Sequence, residues 1–242
     1  MIVNPIKKGT ELNLKIDSLS YGGKGISRYD GIVIFTNNVL PGQTVKAKII
    51  KKKKSYLEAI PIELIEESPF KQKEKCNHFY DCGGCKTQDL DYKEQINQKE
   101  NQIIDALRHL AKINIEKIEP IIKSKLIYEY RNKMEFSFSN NRWLINDEKG
   151  LENEKPKDFA LGLHPPRRFD KVVDIDNCEI QTKLSNKILT TLKKEVIERE
   201  LIPYDIINHK GFIRNVIIKH PKHSDQVMIN IVTAYEDIDL LM

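Results

Sequence analysis

Three of the four cysteines lie within ten residues, as Cys76, Cys82 and Cys85 in a C-x5-C-G-G-C pattern, and the fourth, Cys178, follows VVDIDN far downstream. Four thiolates are a complete ligand set for a zinc ion or an iron–sulfur cluster. Gly83 and Gly84, between two of the cysteines, let a backbone curl closely around an inorganic core and aim N–H groups at its sulfurs. Zinc ribbons carry two paired C-x2-4-C knuckles, whereas this chain has one knuckle, one outlier and one distant thiol. That pattern favours a [4Fe–4S] cluster and keeps zinc as the rival. Isolated buried cysteines are a third reading, opposed by the clustering. His78 lies inside the motif and could replace a ligand, but four cysteines already suffice, which assigns it to the surface or to packing.

These cysteines need elements to hold them. Asp91 with Glu94 forms a capping-box pattern, followed by Ile96, Ile103, Ile104, Leu107, Leu110 and Ala111 at helical spacing. This predicts a helix over 91–112 with one buried face. Cys178 falls in a region of mixed periodicity. KMEFSFSNNRWLIN (133–146) reads as a hairpin turning at Asn140-Asn141. DFALGLHPP (158–166) and KVVDID (171–176) read as strands, and 147–157 as a charged surface loop. Glu179 to Glu200 reads as a helix with Leu184, Ile188, Leu189, Leu192 and Val196 on one face, and 212–221 and 225–235 are apolar strands able to pair.

The N-terminal segment differs in charge. The chain carries a net charge of +5, and residues 1–60 hold +7 of it against −2 over the remainder. So lopsided a balance suits a basic module that meets a polyanion, although a solubilising lysine excess reads the same from charge alone. LNLKIDSL (12–19), GIVIFTNNVL (31–40) and two stretches within 44–66 alternate like short strands. They are separated by YGGKG and Pro41-Gly42 turns, which predicts a compact barrel of about five strands. The G-G-K-G at 22–25 fits no dinucleotide or phosphate loop and reads as a β-turn. The composition is that of a soluble globular protein. No apolar run approaches the roughly 20 residues of a membrane helix, and the start has no signal-peptide core. The expected setting is the cytoplasm, where structural disulfides are disfavoured, with no membrane partner.

C-x5-C-G-G-C-x2-Q followed by a helix, then YRNKMEFSF, then VVDIDNC, resembles the iron–sulfur-containing uracil-C5 RNA methyltransferases, which act chiefly on 23S rRNA. The likeness runs along essentially the whole chain. It implies an N-terminal all-β TRAM (OB-like) barrel over 1–67 that binds RNA, and a cluster loop over 68–90. A helix over 91–119 would pack on a methyltransferase domain, and 120–242 would form a central α+β, RNA-facing domain. It assigns a [4Fe–4S] cluster to Cys76, Cys82, Cys85 and Cys178. It raises Lys24, Arg28 and the run Lys51, Lys52, Lys53 and Lys54 from a solvated face to phosphate contacts. Arg131, in YRN, becomes an RNA contact, with an ordinary strand-start ion pair as the competing reading. Tyr21, Phe35 and Tyr56 could stack on splayed bases, core packing being the safer assignment for Phe35.

The family's chemistry also needs a nucleophilic cysteine, a carboxylate base and an S-adenosylmethionine fold. All four cysteines match cluster ligands, and no Gly-rich strand-to-helix turn is present. The resemblance therefore implies an RNA-binding part of the enzyme, inactive alone, whose catalytic domain and cofactor belong to the full-length protein. Its RNA would be 23S rRNA before tRNA. A non-catalytic RNA-binding protein stapled by a cluster or zinc is the alternative. A redox or radical enzyme fits least, because the C-x3-C-x2-C spacing of radical enzymes is absent.

Overall fold

The computed structural model describes residues 6–115, 117–145, 156–224, 226–235, 237 and 239. The chain divides into two compact units, one of residues Met1–Glu74 and Lys86–Lys123, the other of Lys75–Cys85 and Ser124–Met242.

The first unit is built on strands β1 (Glu11–Lys15), β2 (Ser18–Leu19), β3 (Gly25–Tyr29), β4 (Ile32–Thr36), β5 (Thr44–Lys52) and β6 (Tyr56–Glu66), in the order β1-β5-β6-β4-β3-β2. Only Ile16 and Asp17 separate β1 from β2. This single bent segment pairs with β5 on one side and β3 on the other, so the sheet closes into the expected five-stranded barrel. Alternation sends Leu14, Ile34, Val45, Ala47, Ile49, Leu57 and Ala59 into its interior. Register shifts along β5–β6 bend the long strands around it. Gly22 and Gly23 both take positive φ, and Gly23 N–H closes a turn on Ser20 O at 2.9 Å, as the β-turn reading requires.

Helix α1 (Tyr92–Asp105) runs on into a single π-helical stretch, Ala106–Leu110. Asp91 caps it, accepting from the N–H groups of Lys93 and Glu94. The reciprocal half of the capping box does not form. Asp91 N–H donates to Phe70 O, and the Glu94 carboxylate turns inward to Gln98 at 2.7 Å. The buried face is correspondingly polar. Gln98 Oε1 accepts Leu19 N–H at 2.8 Å, and Gln102 Nε2 donates to Leu19 O at 2.9 Å, so glutamines seat the helix on β2. Of the expected apolar face only Ile96 is buried, while Ile103 and Leu110 are 57% and 83% exposed.

The second unit is an antiparallel sheet, β7 (Lys133–Ser139), β8 (Ala160–Leu163), β9 (Val173–Asp174), β10 (Ile213–Lys219) and β11 (Met228–Thr233), ordered β11-β10-β7-β8-β9. Helix α2 (Lys183–Glu198) packs on it. Met134, Phe136 and Phe138 from alternate positions of β7 form the core with Leu161, Val173, Leu189, Val196, Val216 and Ile218. Strands form inside the ranges read at 158–166, 171–176, 212–221 and 225–235, each shorter than read and β9 only two residues long, the last two pairing with each other. Among the described residues the hairpin over 133–146 does not form: β7 pairs with β8 and β10. Asn141 N–H turns back to Ser139 Oγ, its side chain donates to Asp170 O, and Trp143 N–H goes to Val172 O. Both asparagines lie outside the set of positive-φ residues, so the tight hairpin turn that needs φ > 0 at both positions cannot close. Helix α2 starts at Lys183 rather than Glu179, capped by Thr182 Oγ1, and it buries Ser185 while leaving Leu184 exposed. Within the charged loop expected at 147–157, residues 147–155 lie outside the described residues.

Candidate metal centre and nucleic-acid interface

All four cysteines belong to the second unit. Cys178 is buried in its core, and Cys82 and Cys85 pack against the same core. The cysteine loop is fastened at several points. Cys82 N–H donates to His78 O at 2.8 Å and Gly83 N–H to His164 O at 3.0 Å. Trp143 Nε1 donates to Asp81 at 2.8 Å. Lys75 pairs with Glu179 at 2.7 Å and lies over the Tyr128 ring. A Cβ on Gly83 would come within 2.7 Å of His164 O, and one on Gly84 within 3.0 Å of Leu163. The loop thus approaches its neighbours as closely as only glycine allows. His78 is half-buried.

The sulfurs sit in donor-rich surroundings. Gly84 N–H points at Cys82 Sγ at 3.3 Å, and the backbone N–H groups of His78 at Cys76 and of Ile180 and Gln181 at Cys178 act to lower those thiols' pKa. Burial pushes the Cys82 thiol up to about 12 and Cys178 to about 11, and raises Cys76. The charge of the neighbouring thiols adds to the rise, against the N–H donors that lower it. Thiols so raised keep their protons in the absence of a metal, and a soft metal centre would have to displace them. Among the described residues, no three Cys, His, Asp or Glu side chains close to the spacing of a single metal ion. In donor type, mutual proximity and N–H donation the four thiols nevertheless fit a cysteine-ligated inorganic centre.

The predicted RNA contacts divide between the units. On the outer face of the barrel, cross-strand rows place Ile26, Phe35, Glu58 and Lys51 side by side, and Arg28 next to Val33 and Tyr56. Phe35 faces outward, contrary to its assignment to the core. The side chain alternates with buried Ile34 and Thr36, and its ring meets Tyr56 edge-on at 5.4 Å. Lys24 and Lys51 both reach the Glu58 carboxylate at 3.5 Å. Burial raises the Glu58 pKa, but the two lysines outweigh it and hold the carboxyl below its ordinary value. Lys52 turns to Ile6 O at 3.0 Å. Lys53 and Lys54 are exposed at the β5–β6 turn, Arg28 is exposed on β3, and Tyr21 is 95% exposed in the glycine turn. Arg131 belongs to the second unit. It is exposed, with its backbone N–H on Ile180 O and its guanidinium 3.6 Å from Met134 Sδ.

Sequence reading missed Glu58 as partner of two lysines, the Lys75–Glu179 pair, and Asn186 beside Cys178. Lys75 and Glu179 each directly neighbour a cysteine, which is a signal, but their pairing is visible only in the fold.

Residues 5–62 match the TRAM domain. Over 88% of its length the chain is 37% identical to an uncharacterized RNA methyltransferase of Chlorobaculum tepidum, the match covering 44% of that protein. It is 38% identical to one of Bacteroides thetaiotaomicron, with 90% and 48% of the two chains covered. Among solved structures it superposes on the Pyrococcus abyssi tRNA (uracil-54, C5)-methyltransferase in complex with S-adenosyl-L-homocysteine. The TM-score is 0.62 at 23% identity, covering 91% of this chain and 46% of that one, a likeness of fold. The chain spans about half the length of the curated relatives it matches. No helix among the described residues is long and apolar enough to cross a membrane. The chain therefore carries an N-terminal TRAM domain and has RNA methyltransferases as its homologues along most of its length.

Proposed function

We propose that this chain is the RNA-binding, [4Fe–4S]-bearing part of an S-adenosylmethionine-dependent uracil-C5 methyltransferase of 23S rRNA, working in the cytoplasm. The observation that carries the reading is the four-cysteine set gathered in one unit with backbone N–H groups on its sulfurs, in a chain whose relatives are RNA methyltransferases. Cys76, Cys82, Cys85 and Cys178 would hold the cluster, which would staple the loop at 76–85 to the turn at 178 and fix the RNA-facing unit. The barrel face supplies cations for phosphates at Arg28, Lys53 and Lys54, with Lys24 and Lys51 beside Glu58, and aromatic surface for bases at Tyr56 and Phe35. With every cysteine committed to the cluster, methyl transfer falls to residues outside this sequence, together with S-adenosylmethionine. The fold neighbour's substrate supports a second reading, in which the RNA is a tRNA.

Two measurements test this. Anaerobically purified chain should contain about four irons and four sulfides, the content of the proposed cluster; stoichiometric zinc without sulfide overturns the cluster. Affinity for single-stranded rRNA fragments should fall steeply with salt. Replacing Arg28, Lys53 and Lys54 together by Ala should reduce the slope of log K against log salt by about 0.7 for each phosphate no longer neutralised. An unchanged slope removes these side chains from the interface.

A further inference from the structure

Both backbone polar groups of Cys178 are held by one side chain of α2. Asn186 Oδ1 accepts the Cys178 N–H at 2.8 Å, and its Nδ2 donates to Cys178 O at 3.1 Å. Gln181, 1% exposed, locks the grip by donating its Nε2 to the same Oδ1 at 2.7 Å. Asparagine is a weak helix former, so its place inside the first turns of α2 calls for a compensating role, and these three bonds supply one. They fix residues 178–181 as a turn, closed by Gln181 N–H on Cys178 O at 3.3 Å.

We propose that Asn186 is the positioning residue of the fourth ligand. It holds the Cys178 backbone in one turn, so that the thiolate is presented to an iron–sulfur cluster in a fixed direction. This rests on the cluster reading of the proposed function. Outer partners of this kind are worth about 10–100-fold in metal retention. Asn186→Leu keeps the shape and removes both bonds. Asn186→Asp keeps the acceptor for Cys178 N–H, removes the donor and adds a negative charge near the sulfur.

The test uses the full chain reconstituted anaerobically with iron and sulfide, alongside Leu184→Ala, an exposed change on the same helix. Iron loss to a chelator and the cluster's midpoint potential are the readouts. Asn186→Leu should lose iron about tenfold faster than wild type or more. Asn186→Asp should fall between them, with its potential shifted negative, and Leu184→Ala should match wild type. If Asn186→Leu fails to fold, Asn186→Asp with its remaining bond decides. Wild-type retention and potential in a folded Asn186 variant overturn the assignment. A wild-type chain that takes up no iron and sulfide overturns the cluster reading itself, and the proposal with it.

Discussion

On the proposed RNA-binding face of the barrel, Glu58 stands between the two lysines a phosphate would meet. Its carboxylate lies between Lys24 and Lys51, and its side chain is 15% exposed beside the Phe35–Tyr56 ring pair. An RNA phosphate must compete with it for both ammonium groups. Glu58→Gln should therefore tighten RNA binding at low salt and steepen the salt dependence by about 0.7 to 1.4 log units per log unit of salt, one or two further phosphates neutralised. The fold should change little, because the lysine ends of both pairs lie in solvent and surface ion pairs contribute about 0–1 kcal/mol. Anisotropy titrations over a range of salt check this, and weaker binding by the variant would refute it. Tyr56→Ala should weaken binding of single strands of any sequence by about 1–3 kcal/mol for a stacked base, with the salt slope unchanged.

At the scale of elements, polar contacts set positions that the apolar pattern does not. Helix α1 is seated on β2 by Gln98 and Gln102. Gln98→Leu strands the Leu19 N–H in a buried site and takes the donor from Glu94 Oε1, Asn97 still holding Oε2, an expected loss of about 1–3 kcal/mol, measurable by urea denaturation. Glu67, just past β6, accepts from Gln43 Nε2, Ser68 N–H and Lys71 Nζ. Lys71 first, then Gln43 and the Ser68 N–H, outweigh burial and lower its pKa from 4.5 to about 2. A depressed carboxylate stabilises the fold above its unfolded pKa, and that contribution is lost as the pH falls through the folded one. The first unit should therefore lose stability between pH 4.5 and about 2. Glu67→Gln should flatten the thermal midpoint over that window. The change should stay below about 1 kcal/mol, because the side chain is largely exposed.

At the scale of the molecule, the four cysteines belong to one unit and the barrel cations to the other. Chelation of the proposed cluster should therefore lower the calorimetric transition of the cysteine-bearing unit and leave that of the barrel in place. An equal shift of both transitions would refute this division of labour. The Lys75–Glu179, Asp81–Trp143 and Gly83–His164 contacts also fasten the cysteine loop within its own unit.

Local pattern determined a good deal unaided. The barrel was legible because period-2 alternation and glycine turns are properties of neighbouring residues. The cysteines stood out because three fall in ten positions, and the N-terminal charge because it is a sum over a segment. What lay beyond the sequence depended on partners distant along the chain. The 133–146 hairpin gave way because β7 finds both its partners elsewhere. Phe35 moved from core to surface because its neighbours Ile34 and Thr36 take the interior. On α1 it is Gln98 and Gln102, not the apolar stripe, that seat the helix on β2. Asn186 reads as an unremarkable helix residue until the fold brings Cys178 against it. A side chain's type states which bonds it can make, and only the tertiary structure decides which groups are near enough to make them with.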